Sequence, residues 1–128
     1  MDEELRQRTK ATAQMLFHTV KGGTGFETWK KIDKDLAREL SMFFTGKLYS
    51  REVISQKQRE LFAVASLTVL HRPKELSAHV HAALNVGATR REIGEVIFQQ
   101  VTYGGMPVVV EALDVFVDVL KERGEWDG

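Results

Sequence analysis

The stretch "KELSAHVHAALNVGATRREI", Lys74 to Ile93, carries His79 and His81 on what its apolar spacing marks as an amphipathic helix. They are half of the histidines in the chain. Imidazole is the side chain that exchanges protons near neutral pH, so the pair raises the prospect of acid–base chemistry. Helical geometry turns His79 toward the side of Leu76 and Val80 and points His81 elsewhere. A histidine on an apolar face is commonly a satisfied structural residue, and a chemical role needs a partner. Glu60 is a candidate. It shares a helix face with Val64, Leu67 and His71, where a carboxylate is costly to bury without a hydrogen-bonding or charged neighbour. The structural alternative is an exposed first-turn glutamate, favoured by the helix dipole.

A metal site is not expected from these groups. On a helix, residues i and i+2 project about 200° apart, so His79 and His81 cannot close on one ion. His71 and Glu75 have the i, i+4 spacing of helical zinc pairs, but Pro73 lies between them and breaks any common helix. "TYGGMP" places Tyr103, Gly104 and Gly105 between two apolar segments. The glycines suit a tight helix-to-helix turn, or alternatively a close backbone approach to a ligand, with the amides that open the last helix facing an anion. Neither glycine-rich nucleotide pattern, G-x-x-x-x-G-K-[ST] or G-x-G-x-x-G, occurs. Arg51, Arg59 and Arg72 are solvated charges by default, although any of them could grip a carboxylate through two hydrogen bonds.

About six helices are needed to position these residues. The first runs from about Asp2 to Lys21, with Leu5, Thr9, Ala13, Leu16 and Val20 as its stripe, and "KGGTG" stops it. After a mixed stretch holding Phe26 and Trp29, "DKD" opens a second helix through Leu36, Leu40, Phe43 and Phe44, which Gly46 closes. Ser55 with Gln58 forms a capping box at the head of a helix that is apolar nearly all round, a pattern suited to a bundle centre or a subunit interface. Pro73 starts the next helix and Gly87 suits its left-handed terminus. A second capping box, Thr89 with Glu92, starts a fifth helix reaching toward Val101, and Pro107 starts a sixth that ends at Gly124. Valine runs such as "VFVDV" fit a strand locally, but the i, i+3, i+4 period persists from Pro107 to Arg123 and no hairpin turn interrupts it. Trp29, Phe43, Phe44 and Tyr49 are expected in the core. The expected architecture is all-α, in a single domain over residues 1–128.

Bulk composition narrows the functional classes. Eighteen basic residues balance eighteen acidic ones, so no global field gathers nucleic acid or an anionic membrane. Cysteine is absent, which excludes disulfides, thiolate zinc sites and thiol nucleophiles. No apolar run reaches membrane length, and the charged start "MDEELRQRTK" is unlike a secretory signal, so a cytoplasmic protein is the default expectation.

The segment from Gly46 to Leu113 resembles the carboxymuconolactone decarboxylase family, in its "REL" opening, its "HV.AALN.GAT..EI.EV" block and its "YGG.P...EA" turn. The resemblance extends to alkylhydroperoxidase D-like proteins, where a glutamate precedes a CxxC pair and a histidine. Laid onto this chain, that glutamate falls on Glu60 and that histidine on His79, while the cysteine positions hold Arg72 and Glu75. A dithiol peroxidase mechanism is therefore excluded, because it needs one thiolate to attack and another to resolve. The resemblance implies an alkylhydroperoxidase D-like helical bundle that assembles as a homo-oligomer, a trimer or a hexamer. It also implies cofactor-free decarboxylation of 4-carboxymuconolactone or a related small lactone acid. Glu60 and His79 would be catalytic, with His79 the acid or oxyanion donor and Glu60 its orienting or relay partner. Arg72, Tyr103, Gly104 and Gly105 would bind substrate. A noncatalytic oligomeric binder of small acids is the alternative, and a peroxidase-type antioxidant role is disfavoured by the missing thiols. His81 and "GGTGFETWK" have no counterpart in the decarboxylase pattern.

Overall fold

In a computed structural model, which describes residues 3–22 and 25–128, the described residues form eight α-helices and one π-helical segment, with no strand. The helices are α1 (Glu3–Phe17), α2 (Gly25–Ile32), α3 (Lys34–Ser41), α4 (Gln56–Val69), α5 (Pro73–Asn85), α6 (Arg90–Gln99), α7 (Val101–Gly104) and α8 (Met106–Glu122). The π-helical segment, Met42–Leu48, continues α3. No helix is long and apolar enough to cross a membrane among the described residues.

Local chemistry sets most boundaries. Ser55 Oγ accepts from the Gln58 amide while the Gln58 side chain accepts from the Ser55 amide, and Thr89 and Glu92 repeat the exchange at the head of α6. Asp33 caps α3 by accepting from the Leu36 amide at 3.0 Å. Pro73 opens α5, and Gly87 and Gly124 take positive φ after α5 and α8. The core is built where four stripes meet: Val64 of α4, Leu76, Val80 and Ala83 of α5, Ile93 and Ile97 of α6, and Val109, Ala112, Phe116, Val119 and Leu120 of α8. α1 lies against α5 and the π-helical segment, so its C-terminal end passes close to the histidines of α5.

Several expectations are corrected. α1 ends at Phe17, earlier than Lys21; its expected start at Asp2 and the Gly23–Thr24 part of the stop signal lie outside the described residues. The mixed stretch with Phe26 and Trp29 is a helix, α2, whose side chains are all at least partly exposed. Gly46 does not close the second helix. It is buried within the π-helical segment, where a Cβ would stand 2.1 Å from Thr9 Oγ1 and 3.0 Å from Leu5 Cδ1. Close approach of α1, rather than chain reversal, requires glycine there. The fifth helix stops at Gln99, and Val101 begins the separate short α7.

The aromatic residues expected in the core lie further out. Trp29, Phe43 and Phe44 are exposed, with Trp29 and Phe43 both stacked around Phe44 at centroid distances of 6.4 and 5.2 Å. They form a surface cluster over α2, α3 and the π-helical segment. Tyr49 is half-buried. On α4 the buried face is Glu60, Val64 and Thr68, while Phe62 and Leu70 stand exposed in the single chain, so that helix is not covered on all sides.

Candidate active site

Residues 60, 64 and 68 recur at i, i+4 and i+8, and this stripe of α4 packs toward α5. Glu60 is therefore wholly inside, at 0% exposure, rather than an exposed first-turn glutamate. Its Oε1 lies 2.6 Å from Nδ1 of His79, which α5 presents one turn after Leu76. A carboxylate with this burial requires such a partner, and the short distance is that of a charge-assisted hydrogen bond. Nδ1 donates to Glu60, which leaves Nε2 as the ring nitrogen of His79 free for other work. Phe17, the last residue of α1, packs edge-on against the imidazole with centroids 5.5 Å apart. Ring position and tautomer are thus both fixed, one by packing and one by the carboxylate.

The pair adjoins a pocket of about 400 Å³ whose walls include Tyr49, Ile54, Arg59, Phe62, Leu67 and His79. α4 contributes one face of it, since Arg59, Phe62, Ala63, Ser66 and Leu67 follow the i, i+3, i+4, i+7, i+8 spacing. The lining is mainly apolar, with the Arg59 cation, the His79 imidazole and the hydroxyls of Tyr49 and Ser66 as its polar groups. The Arg59 guanidinium lies 5.7 Å from the centre of the Tyr49 ring and donates from Nη2 to the Arg51 carbonyl at 2.9 Å. Burial raises the Tyr49 pKa above its ordinary 10.0, and the Glu60 carboxylate raises it further while Arg59 works against both. The phenol therefore remains a neutral O–H at physiological pH.

His81, two residues along α5, occupies a different site on the opposite side of the helix. It is only 2% exposed, more buried than His79, whose side chain is 23% exposed. Arg123 Nη1 stands 3.2 Å from His81 Nδ1, and because a guanidinium only donates, Nδ1 must be the accepting nitrogen. Thr19 Oγ1, 3.0 Å from Nδ1, accepts from Asn85 at 2.9 Å and Arg123 at 3.1 Å, and gives its own proton to the ring. Nε2–H of His81 then faces Glu122 Oε1 at 3.3 Å, near but out of line for a hydrogen bond. Burial lowers the His81 pKa below 6.5, Glu122 opposing this and Arg123 adding to it. Asn85 also donates to the Leu16 carbonyl at 2.8 Å. The network ties the end of α1 and the residue following α8 to α5.

The remaining site candidates lie apart from the Glu60–His79 pocket. Arg72 is exposed at the head of α5 and borders a separate shallow groove with His71, Glu111 and Val115. Tyr103 is 69% exposed. Gly104 packs against α4 and α8, where a Cβ would meet Val108 Cγ2 at 2.9 Å, and Gly105 makes the α7–α8 turn at φ 88°. The structure thus brings Glu60 and His79 together and leaves Arg72, Tyr103, Gly104 and Gly105 outside their pocket. Tyr49 and Phe17 were not foreseen as site residues. The stripe running from Arg59 to Leu67 was the available signal for Arg59.

The sequence profile of the carboxymuconolactone decarboxylase family matches residues 34–118. The chain belongs to the carboxymuconolactone decarboxylase family. It is 31% identical over 98 residues to the 4-carboxymuconolactone decarboxylase of Acinetobacter baylyi, an alignment covering 77% of this chain and 73% of that protein. An uncharacterized 15.0 kDa protein from the nqo9–nqo10 intergenic region of Paracoccus denitrificans is 40% identical over 89 residues, which is 67% of this chain and 65% of that protein, just under two thirds of its length. Nitrosuccinic acid decarboxylase of Metarhizium robertsii is 29% identical over 84 residues, 63% of this chain and 59% of that one. The decarboxylase-family span holds Tyr49, Arg59, Glu60 and His79. Phe17, Thr19 and Arg123 lie outside it.

Proposed function

We propose that this chain is a carboxy-lyase that decarboxylates a small lactone acid, 4-carboxymuconolactone or a close relative, without a cofactor. The single observation that carries the reading is the 2.6 Å bond between buried Glu60 and pocket-lining His79. Family membership and two relatives that are decarboxylases support the reaction class. In such a lactone the electron pair freed with carbon dioxide flows through the ring double bond into the lactone carbonyl, so the substrate supplies its own electron sink. The protein must stabilise the resulting enolate and return one proton to carbon.

His79 does both when the pair enters as imidazolium and carboxylate. Nδ1–H stays on Glu60, Nε2–H donates to the developing oxyanion, and that same proton then passes to carbon. The sum is one carboxylate and one proton consumed, with one neutral carbon–hydrogen bond and one carbon dioxide formed; solvent restores the proton. Apolar walls lower the polarity around the oxyanion, which strengthens the hydrogen bond to it.

Homo-oligomeric assembly belongs to the same reading. Phe62, Phe98, Tyr103 and Met106 stand more than half exposed on α4, α6, α7 and α8, an apolar surface that a second subunit would cover. Arg72 and Tyr103–Gly105 bind substrate under this reading only if assembly lays them against a neighbouring subunit's pocket. The test of function is incubation of purified protein with 4-carboxymuconolactone, following loss of substrate absorbance together with carbon dioxide release. Stoichiometric carbon dioxide is the expected result. Tight binding of the lactone acid with no product would favour the noncatalytic binder instead.

A further inference from the structure

Among the described residues, four buried side-chain polar atoms lack any hydrogen-bond partner, and three of them come from one short stretch of α4: Gln56 Oε1, Arg59 Nε and Glu60 Oε2. Buried polar atoms are nearly always paired, so three orphans within five residues mark this stretch of α4 as polar without being fully satisfied. The Gln56 side chain bonds the Tyr49 carbonyl, Arg59 lies over the Tyr49 ring, and Tyr49 and Arg59 both line the pocket of His79. Arg59 Nε is the only donor of the three. Its guanidinium is held from two sides, by the Tyr49 face and by the Arg51 carbonyl on Nη2, which fixes its plane before any ligand arrives. Such preorganisation is wasteful for a solvated charge and suits one that must meet a carboxylate in a set orientation.

We propose that Arg59 is the specificity-determining residue of this pocket: its guanidinium, through the Nη1 that no protein group engages, receives the carboxylate of a compact, ring-bearing acid whose apolar body lies against Ile54, Phe62 and Leu67, with His79 lining the same pocket. This rests on the functional reading of the pocket given above and assigns to Arg59 the anion-binding part that the sequence pattern had suggested for Arg72. Arg59 does not touch the reacting bond in this arrangement. It orients the acid so that the ring carbonyl faces His79.

The experiment uses a probe that cannot react. The saturated γ-lactone acid 5-oxotetrahydrofuran-2-carboxylate lacks the ring double bond through which electrons would flow, and its methyl ester removes the charge while keeping the shape. Affinities of both for the purified full chain are measured by calorimetry, with wild type, Arg59→Gln and Arg59→Lys. The expected result is a preference of wild type for the acid. Arg59→Gln weakens acid binding about 10- to 100-fold, the scale of losing a charge-assisted hydrogen bond, and leaves the ester affinity and the melting temperature in place. Arg59→Lys keeps the charge but not the planar fork and falls between. An Arg59→Gln protein that still prefers the acid, or a wild type that shows no preference, overturns the proposal. Failure here is separable from failure of the functional reading. Turnover with an unchanged KM in Arg59→Gln would sink the arginine and keep the decarboxylase. Arginine-dependent acid binding with no turnover would do the reverse.

Discussion

His79 and His81 stand two residues apart on α5 and face opposite worlds. Nδ1 of His79 donates to a carboxylate, its ring is partly open, and a pocket lies on its other side. Nδ1 of His81 accepts from Arg123 and Thr19, and the ring is shut into a network that ties three parts of the chain together. The first arrangement leaves a ring nitrogen to act on something from outside. The second spends Nδ1 inside the network and leaves Nε2 beside Glu122 without a hydrogen bond. Burial and a neighbouring pocket do not by themselves separate the two, because His81, the more buried, borders a second pocket of about 440 Å³ with Glu122 and Arg123. What separates them is the part Nδ1 plays, donating to Glu60 at His79 and accepting from Thr19 and Arg123 at His81.

The sharpest way to break the comparison is to remove each ring in turn. His79→Ala should lose on the order of 10²-fold or more in turnover of the folded fraction, the scale of deleting one preorganised donor, and should also lower the melting temperature by leaving the buried Glu60 carboxylate unpaired. His81→Leu should spare turnover. It strips partners from Thr19 and Arg123 inside the fold and is expected to cost about 1–3 kcal/mol of unfolding free energy in a denaturant titration, with turnover of the folded fraction retained. If His81→Leu lost activity at full stability, the division of labour would be wrong.

A second effect is readable in pH. Burial holds the folded His81 pKa below the ordinary 6.5, so the unfolded chain binds that proton first. The stabilisation is therefore present above about pH 6.5 and is lost as pH falls toward the folded value. Denaturant midpoints measured downward from neutral pH should fall in wild type and fall less steeply in His81→Leu. Parallel curves would mean that His81 is not the group responsible. The smallest expected effect is from Thr19→Val, which keeps shape but deletes the hydroxyl between His81, Asn85 and Arg123. A loss of roughly 0.5–1.5 kcal/mol without change in turnover is expected by the same titration.

Much of this was legible before any coordinates. Capping boxes at Ser55 and Thr89, Pro73 and the terminal glycines announce helix ends through chemistry confined to a few neighbouring residues, and these formed where expected. The pairing of Glu60 with His79 could be suggested because a family pattern placed both, although nineteen positions separate them. The failures share a cause. Gly46 looked like a helix end because its sequence neighbours could not reveal that Thr9 and Leu5 would press against it. Trp29, Phe43 and Phe44 looked like core because hydrophobicity does not say which face of a short helix is turned outward. His81 was passed over because its hydrogen-bond partners, Thr19 and Arg123, come from two distant stretches, both outside the family span. Contacts between remote segments leave no periodic trace in one sequence, and the exposed flank of α4 has no local signature that separates solvent from subunit interface.

The contrast between the two histidines comes down to where each ring carries its proton. Long-range nitrogen–proton correlation spectra of the imidazoles, recorded on the purified protein above the range where histidines titrate, report this directly. The account predicts opposite tautomers two residues apart: His79 protonated at Nδ1 with Nε2 bare, and His81 protonated at Nε2 with Nδ1 bare. A proton on Nε2 of neutral His79, or the same tautomer at both positions, would contradict it.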